Sequence, residues 1–276
     1  MRTVQAKEIT RIVANLCIKA NIHLDPAIRQ CLRAARKAEE SPLAQSVLDM
    51  IEENIQIAAA ENMPMCQDTG MAVVFADVGQ DVHITGNLTD AINEGVRQGY
   101  KEGYFRASIV ADPIERKNTG DNTPAVIHYN IVPGDKIKIT VMPKGFGSEN
   151  KGATKMLTPS AGLAGVEDFV LETVKKAGAD PCPPILVGVG IGGTMEKAAL
   201  LSKEALLHMY KKDPRWAEVE DRLTEKINNL NIGPAGLGGK TTTLGVKIKS
   251  YPTHIAGLPV AVTIGCHVSR HMTEVV

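Results

Sequence analysis

This sequence carries no net charge, because 31 Lys and Arg balance 31 Asp and Glu. It therefore offers no basic footprint for nucleic acid and no polybasic face for a membrane surface. It also lacks any apolar run near the ~20 residues needed to cross a bilayer. The first residues, Met1-Arg2-Thr3-Val4-Gln5-Ala6-Lys7, are mixed and polar, without the apolar core or small-residue cleavage site of a secretory leader. These absences predict a cytoplasmic protein. A disulfide framework is missing too: the five cysteines, Cys17, Cys31, Cys66, Cys182 and Cys266, are odd in number and widely spaced. There is no internal repeat, low-complexity tract or clear linker.

What remains is an ordinary globular composition, 43% hydrophobic and 22% charged over 276 residues, long enough to bury a sizeable core. The first sixty residues read as helices. Ile9, Ile12, Val13, Leu16 and Cys17 recur at helical spacing from Val4 to Ala20. Asp25-Pro26 reads as a cap and a first-turn proline for a helix to Ala38, and Leu43 to Ala60 repeats the pattern. Further helices are expected over Leu88–Gly103, Ala161–Ala177, Glu196–Lys211 and Trp216–Leu230.

Short β-rich runs lie at 72–78 and 83–84. Ala125–Ile131 and Lys136–Val141 are expected to form a hairpin about Pro133-Gly134-Asp135. Strands are also expected at Ile185–Val189, Thr243–Ile248 and Val260–Ile264. The elements do not alternate as βαβ units. The expected class is α+β, with a helix-rich N-terminal region and short mixed or antiparallel strands, in one domain spanning 1–276.

Three cysteines stand at element boundaries beside Gly or Pro. Cys66 lies in Met65-Cys66-Gln67-Asp68-Thr69-Gly70, Cys182 in Pro181-Cys182-Pro183-Pro184, and Cys266 in Gly265-Cys266-His267. Free backbone N–H groups at such ends can support a thiolate ligand. Cys17 and Cys31 fall inside helical patterns and read as buried structural cysteines. Three thiolates on an iron–sulfur cube would leave one iron without a protein ligand, whereas electron-transfer clusters use four. Spacing alone does not separate this from unrelated core cysteines.

The local sequences add more. The segments Cys66-Gln67-Asp68-Thr69-Gly70, Lys144-Gly145-Phe146-Gly147-Ser148-Glu149-Asn150-Lys151, Cys182-Pro183-Pro184, Ile232-Gly233-Pro234-Ala235-Gly236-Leu237-Gly238-Gly239 and Gly265-Cys266-His267 occur in this order. Together they resemble the α subunit of the class I, iron–sulfur-dependent fumarate hydratases, over essentially the whole chain. The resemblance implies a 4Fe–4S cluster on Cys66, Cys182 and Cys266, whose fourth iron binds the substrate. It implies catalytic roles for Asp68 and His254. Gln67, Arg106 and the backbone of Gly147 would hold a small dicarboxylate. It also implies that a separate β subunit supplies the catalytic base and further cationic anchors, within a higher-order oligomer. Nucleic acid and membrane are not expected partners. Phe146, where many relatives have glycine, departs from the pattern.

The residues themselves leave alternatives open. Arg106 is either a planar fork for a carboxylate or a plain surface arginine. Asp68 either orients a water or caps the turn before Gly70. His254, after Pro252-Thr253, faces either a site or solvent. Gly145 and Gly147 either admit close approach of a ligand or make a turn. His267 and His271 read as surface or supporting residues. Val187-Gly188-Val189-Gly190-Ile191-Gly192-Gly193-Thr194 looks superficially like a phosphate loop, but no acidic residue follows at the end of a second strand. Its glycines are expected to let the chain pack closely, against a cluster or the next helix.

The leading expectation is reversible hydration of fumarate to malate. The rivals are an L-tartrate dehydratase α subunit, a non-catalytic iron–sulfur or redox-sensing protein, and a structural zinc protein using the three cysteines and a histidine.

Overall fold

The computed structural model describes residues 2–211 and 213–276. The chain forms two compact units interleaved in sequence. The first comprises Met1–Asp25, Asn54–Phe146 and Arg270–Val276, and the second Pro26–Glu53 and Gly147–Ser269. Helices stand beside two mixed four-stranded sheets, which is an α+β fold.

In the first unit, β1 (Arg2–Gln5) precedes α1 (Ala6–Ile22), so the expected start of the helix near Val4 is strand. β1 pairs in parallel with β3 (Val82–Thr85), Val4 opposite Ile84. The apolar stripe Ile9, Ile12, Val13, Leu16 and Cys17 is buried as its spacing predicts. It packs with α4 (Leu88–Glu102) and the sheet into one core. Asn87 caps α4 by accepting the Asp90 N–H at 3.1 Å.

The sheet of this unit orders β10 (Met272–Val275), β5 (Ile137–Lys144), β2 (Met71–Gly79) and β4 (Val126–Val132). The expected hairpin does not form. β2 lies between β4 and β5, parallel to one and antiparallel to the other. Burial explains the order: Val73, Val74 and Ala76 of β2 are at most 2% exposed, whereas Ile131 of β4 is 68% exposed, as suits an edge. The loop after β4 instead crosses the end of β2, where the N–H groups of Gly79 and of the following Gln80 and Asp81 donate to the carbonyls of Lys136, Val132 and Gly134 at 2.9–3.0 Å.

In the second unit, α2 (Pro26–Ala38) begins at the expected proline. α3 (Pro42–Glu61) runs across the boundary between the units. After the single turn α5 (Phe146–Glu149), the sheet orders β6 (Ala153–Leu157), β9 (Leu258–Gly265), β7 (Ile185–Gly192) and β8 (Thr243–Tyr251). The helices are α6 (Gly162–Ala177), α7 (Met195–Ala205) and α8 (Ala217–Asn228). The helix expected to reach Lys211 ends at Ala205 and tightens into a 3-10 turn over Leu206–His208, which buries Leu206.

β7 shows how one local pattern serves two faces. Ile185, Val187, Val189 and Ile191 join the core formed with α6 and α8. Strand alternation turns Gly188 and Gly190 to the other face. There a Cβ would lie 2.1 Å from the Ser202 carbonyl oxygen and 2.0 Å from that of Ala198, both on α7. These glycines let the helix pack against the strand backbone, so the phosphate-loop likeness is a packing device. Two edge strands, β6 and β10, carry mostly exposed or half-buried residues and gave no clear apolar signal.

Candidate active site

Cys66 sits in the loop between α3 and β2 and is half-buried. Its Sγ lies 4.0 Å from Oε1 of the exposed Gln67. The loop ends at Gly70, where φ is +77° and a Cβ would lie 2.8 Å from the Lys144 backbone. Only glycine closes this turn against β5. Asp68 holds it: Oδ1 accepts the Gly70 N–H at 3.0 Å and Oδ2 accepts the Phe146 N–H at 2.8 Å. Asp68 is thus a turn-holding residue, and each oxygen keeps a further lone pair.

The Arg106 segment meets the same loop. Thr69 Oγ1 donates to the Arg106 carbonyl at 3.2 Å. Asn122 bridges the two, its Nδ2 donating to the Gly70 carbonyl at 3.1 Å and its Oδ1 accepting from Ser108 N at 2.8 Å. The Arg106 side chain itself is exposed. Tyr100 donates its hydroxyl to the carbonyls of Thr69 and Gly70 at 2.7 and 3.1 Å. Burial pushes the Tyr100 hydroxyl well above its ordinary pKa. Neither Tyr100 nor Asn122 was a sequence candidate, since each lies in unremarkable local sequence.

In the second unit, Cys182 is exposed and Cys266 half-buried. The two segments are adjacent. His267 presents both its backbone N–H and its ring Nδ1 to the Cys182 carbonyl, at 3.4 and 2.9 Å. His267 therefore has the supporting role its position suggested. Cys182 has φ +56°, a left-handed conformation that costs a non-glycine residue about 1–2 kcal/mol. Strain of this kind collects at functional sites. Ala235, at φ +52°, donates its N–H to the Pro183 carbonyl at 2.9 Å. The glycine-rich stretch at 232–239 thereby backs the cysteine corner.

That stretch is clamped from behind by Glu39, which is 3% exposed. Its Oε2 accepts the N–H groups of Lys240 and Thr241 at 2.8 and 3.3 Å, and its Oε1 those of Glu40 and Ser41 at 3.0 and 3.2 Å. A buried glutamate between two helical segments had no distinguishing sequence signal.

Gly147 lies open to solvent, its added Cβ meeting only the Asp180 carbonyl oxygen at 3.8 Å, two residues before Cys182. His254 is exposed in the β8–β9 turn, and its Nδ1 accepts the Ala256 N–H at 3.1 Å. Among the described residues no hydrogen bond joins it to either cysteine segment. It lines a groove of about 580 Å³ with Leu163, Trp216 and Ile255.

The remaining cysteines differ from these three. Cys17 is fully buried, and burial pushes its thiol up to about 12. Cys31 on α2 is half-buried rather than buried as expected. His271 is half-buried, and burial lowers its pKa against the opposing pull of Asp25. No disulfide joins any of the five cysteines. Cys66 in the first unit and Cys182 and Cys266 in the second are each thiols on loops, the residue type that binds iron and sulfide. Among the described residues no three His, Cys, Asp or Glu side chains gather closely enough to hold a single metal ion. No helix among the described residues is long and apolar enough to cross a membrane.

The family model described as fumarate hydratase (Fumerase) matches residues 10–275. A Methanocaldococcus jannaschii protein, named provisionally as an L(+)-tartrate dehydratase subunit alpha, is 40% identical over 95% of this chain and 95% of its own. The L(+)-tartrate dehydratase subunit alpha of Escherichia coli O157:H7 is 36% identical over 98% of this chain and 91% of its own. That of Escherichia coli K12 is 35% identical over the same shares. The match over residues 10–275, with relatives 35–40% identical over nearly the whole chain, shows that the chain belongs to the fumarate hydratase (Fumerase) family.

Proposed function

We propose that this chain is the cluster-bearing α subunit of a hydro-lyase that interconverts fumarate and (S)-malate with a separate β subunit. The observation that carries the reading is the His267 brace between the Cys182 and Cys266 segments, within a chain matched by the family model over residues 10–275. In this reading Cys66, Cys182 and Cys266 hold a 4Fe–4S cluster, which when bound supplies a Lewis-acidic iron for the substrate oxygens.

The chain's own groups bind and orient. Arg106 takes one carboxylate in its planar fork, and its segment is already tied to the Cys66 loop through Thr69. Gln67 and the backbone N–H of Gly147 complete the dicarboxylate's contacts. Asp68 uses its remaining lone pairs to orient the water that is added or lost. His254, exposed on the β8–β9 turn, is assigned a catalytic role in this reading. Trans elimination also needs a base opposite the leaving hydroxyl, and we assign that base to the β subunit.

A second reading, L-tartrate as substrate, is favoured by the names of the relatives described above. One experiment separates them. The chain is co-expressed anaerobically with its β polypeptide and assayed against fumarate, malate and L-tartrate, beside Cys→Ser variants scored for iron. Fumarate turnover with iron lost in Cys66→Ser, Cys182→Ser and Cys266→Ser, and retained in Cys17→Ser and Cys31→Ser, is the expected result. Preferential tartrate turnover selects the second reading. Equal iron loss in all five variants sinks the ligand assignment.

A further inference from the structure

A buried pair outside the candidate site grips the Cys66 loop on both sides of the cysteine. Arg270 is 3% exposed and Asn21 1% exposed. The guanidinium donates through Nε to Asn21 Oδ1 at 3.1 Å and through Nη2 to the Asp68 carbonyl at 2.5 Å. The Asn21 carbonyl in turn accepts the Met65 N–H at 3.0 Å. Asn21 is itself fixed, its Nδ2 donating to the Cys17 carbonyl at 3.0 Å.

The bonds form a closed ring. It runs from Met65 through Cys66, Gln67 and Asp68, then across Arg270 and Asn21 back to Met65. Cys66 and Gln67 are the two residues between the anchors. Burying a guanidinium is costly unless its N–H groups find acceptors. Here two acceptors are a loop carbonyl and the side chain that anchors the loop's other end. A charge kept in such a place favours a single loop geometry over mere packing, because charge-assisted bonds are directional and about twice as strong as neutral ones.

We propose that Arg270 is a positioning residue for Cys66: with Asn21 it sets the two-residue arc that presents the thiol and the Gln67 side chain. The inference deepens the proposed function and rests on it for the role of Cys66 as a ligand. The effect on thiol presentation does not depend on that role. Arg270 touches neither substrate nor cluster in this scheme.

The test uses the full-length Arg270→Lys variant, which keeps the charge and loses the fork. Site-resolved alkylation by iodoacetamide is followed by mass spectrometry on the metal-free chain. Iron and sulfide retention is then measured after anaerobic reconstitution. Losing one charge-assisted bond predicts that Cys66 is alkylated roughly tenfold faster. Cys17, Cys31, Cys182 and Cys266 should keep their wild-type rates, and reconstituted iron should leave the variant faster. A general loosening of the fold would speed the sealed Cys17 as well, and that outcome overturns the proposal. So does an unchanged Cys66 rate.

Should Arg270→Lys fail to fold, Asn21→Ala removes the acceptor of the guanidinium Nε while keeping the cation, and the contrast of Cys66 with Cys31, Cys182 and Cys266 decides, since Asn21 also bonds the Cys17 carbonyl. If the wild-type chain takes up no iron and sulfide, the cluster reading fails. The alkylation contrast still decides the role of Arg270.

Discussion

Replacing Gly70 by alanine places a methyl group where none fits. Two costs arise, and the structure allows them to be separated. The first is conformational: φ is +77°, and a left-handed backbone costs an L-residue about 1–2 kcal/mol. The second is steric. The new Cβ would lie 2.8 Å from the carbonyl carbon and nitrogen of Lys144 and 2.9 Å from its oxygen. These are backbone atoms paired in β5, with Lys144 opposite Met71, so they cannot swing aside as a side chain would. Overpacking of this kind costs about 1–3 kcal/mol. The sum, about 2–5 kcal/mol, is a large share of the ~5–15 kcal/mol that holds a typical domain.

Gly120 supplies the control. Its φ is +84° and nothing lies within 4 Å of an added Cβ. Gly120→Ala should therefore lose only the conformational part, about 1–2 kcal/mol. Urea unfolding followed by far-UV circular dichroism measures both variants, and their difference isolates the clash. Equal losses for Gly70→Ala and Gly120→Ala would refute the argument that the backbone of β5 closes this turn.

Two further outcomes test the packing and the electrostatics. Leu223→Ala empties a fully buried position in the core of the second unit and should cost about 2–5 kcal/mol. The fluorescence of Trp216, which packs on that core, reports the shift in urea midpoint. Asp121 gives an acid-dependent signal. Burial pushes its carboxyl up, but the hydroxyl and N–H of Thr123 and the Arg97 guanidinium outweigh this and hold it near about 2, below the ordinary 3.8. A depressed carboxylate stabilises the fold above its unfolded pKa, and that stability is lost as pH falls through the folded value. The stability gap between wild type and Asp121→Asn should hold steady above pH ~5 and close as pH falls from ~4 toward ~2. A gap that is constant down to pH ~2 would show that the carboxylate charge contributes nothing.

Helix periodicity and local segment order were legible in the sequence. The stripe from Ile9 to Cys17, the Asp25-Pro26 start and the boundary positions of Cys66, Cys182 and Cys266 depend on neighbours a few residues apart, and local spacing records such relations. The ordered cysteine and glycine segments also pointed to the family that the match over residues 10–275 then established.

Tertiary structure alone decided the rest. β2 came between β4 and β5 because strand order follows which strand can be buried on both sides, which the turn at Pro133-Gly134 does not encode. Gly188 and Gly190 serve a helix whose Ser202 and Ala198 carbonyls come within 2.1 Å of where a Cβ would be, a distance set by folding. Asp68 proved to be engaged with Phe146, 78 residues away. Arg270, with Asn21 249 residues distant, became a buried anchor for the Cys66 loop. In a linear reading that arginine is one cation among 31 Lys and Arg, because burial is a property of what surrounds a side chain, and its surroundings come from elsewhere in the chain.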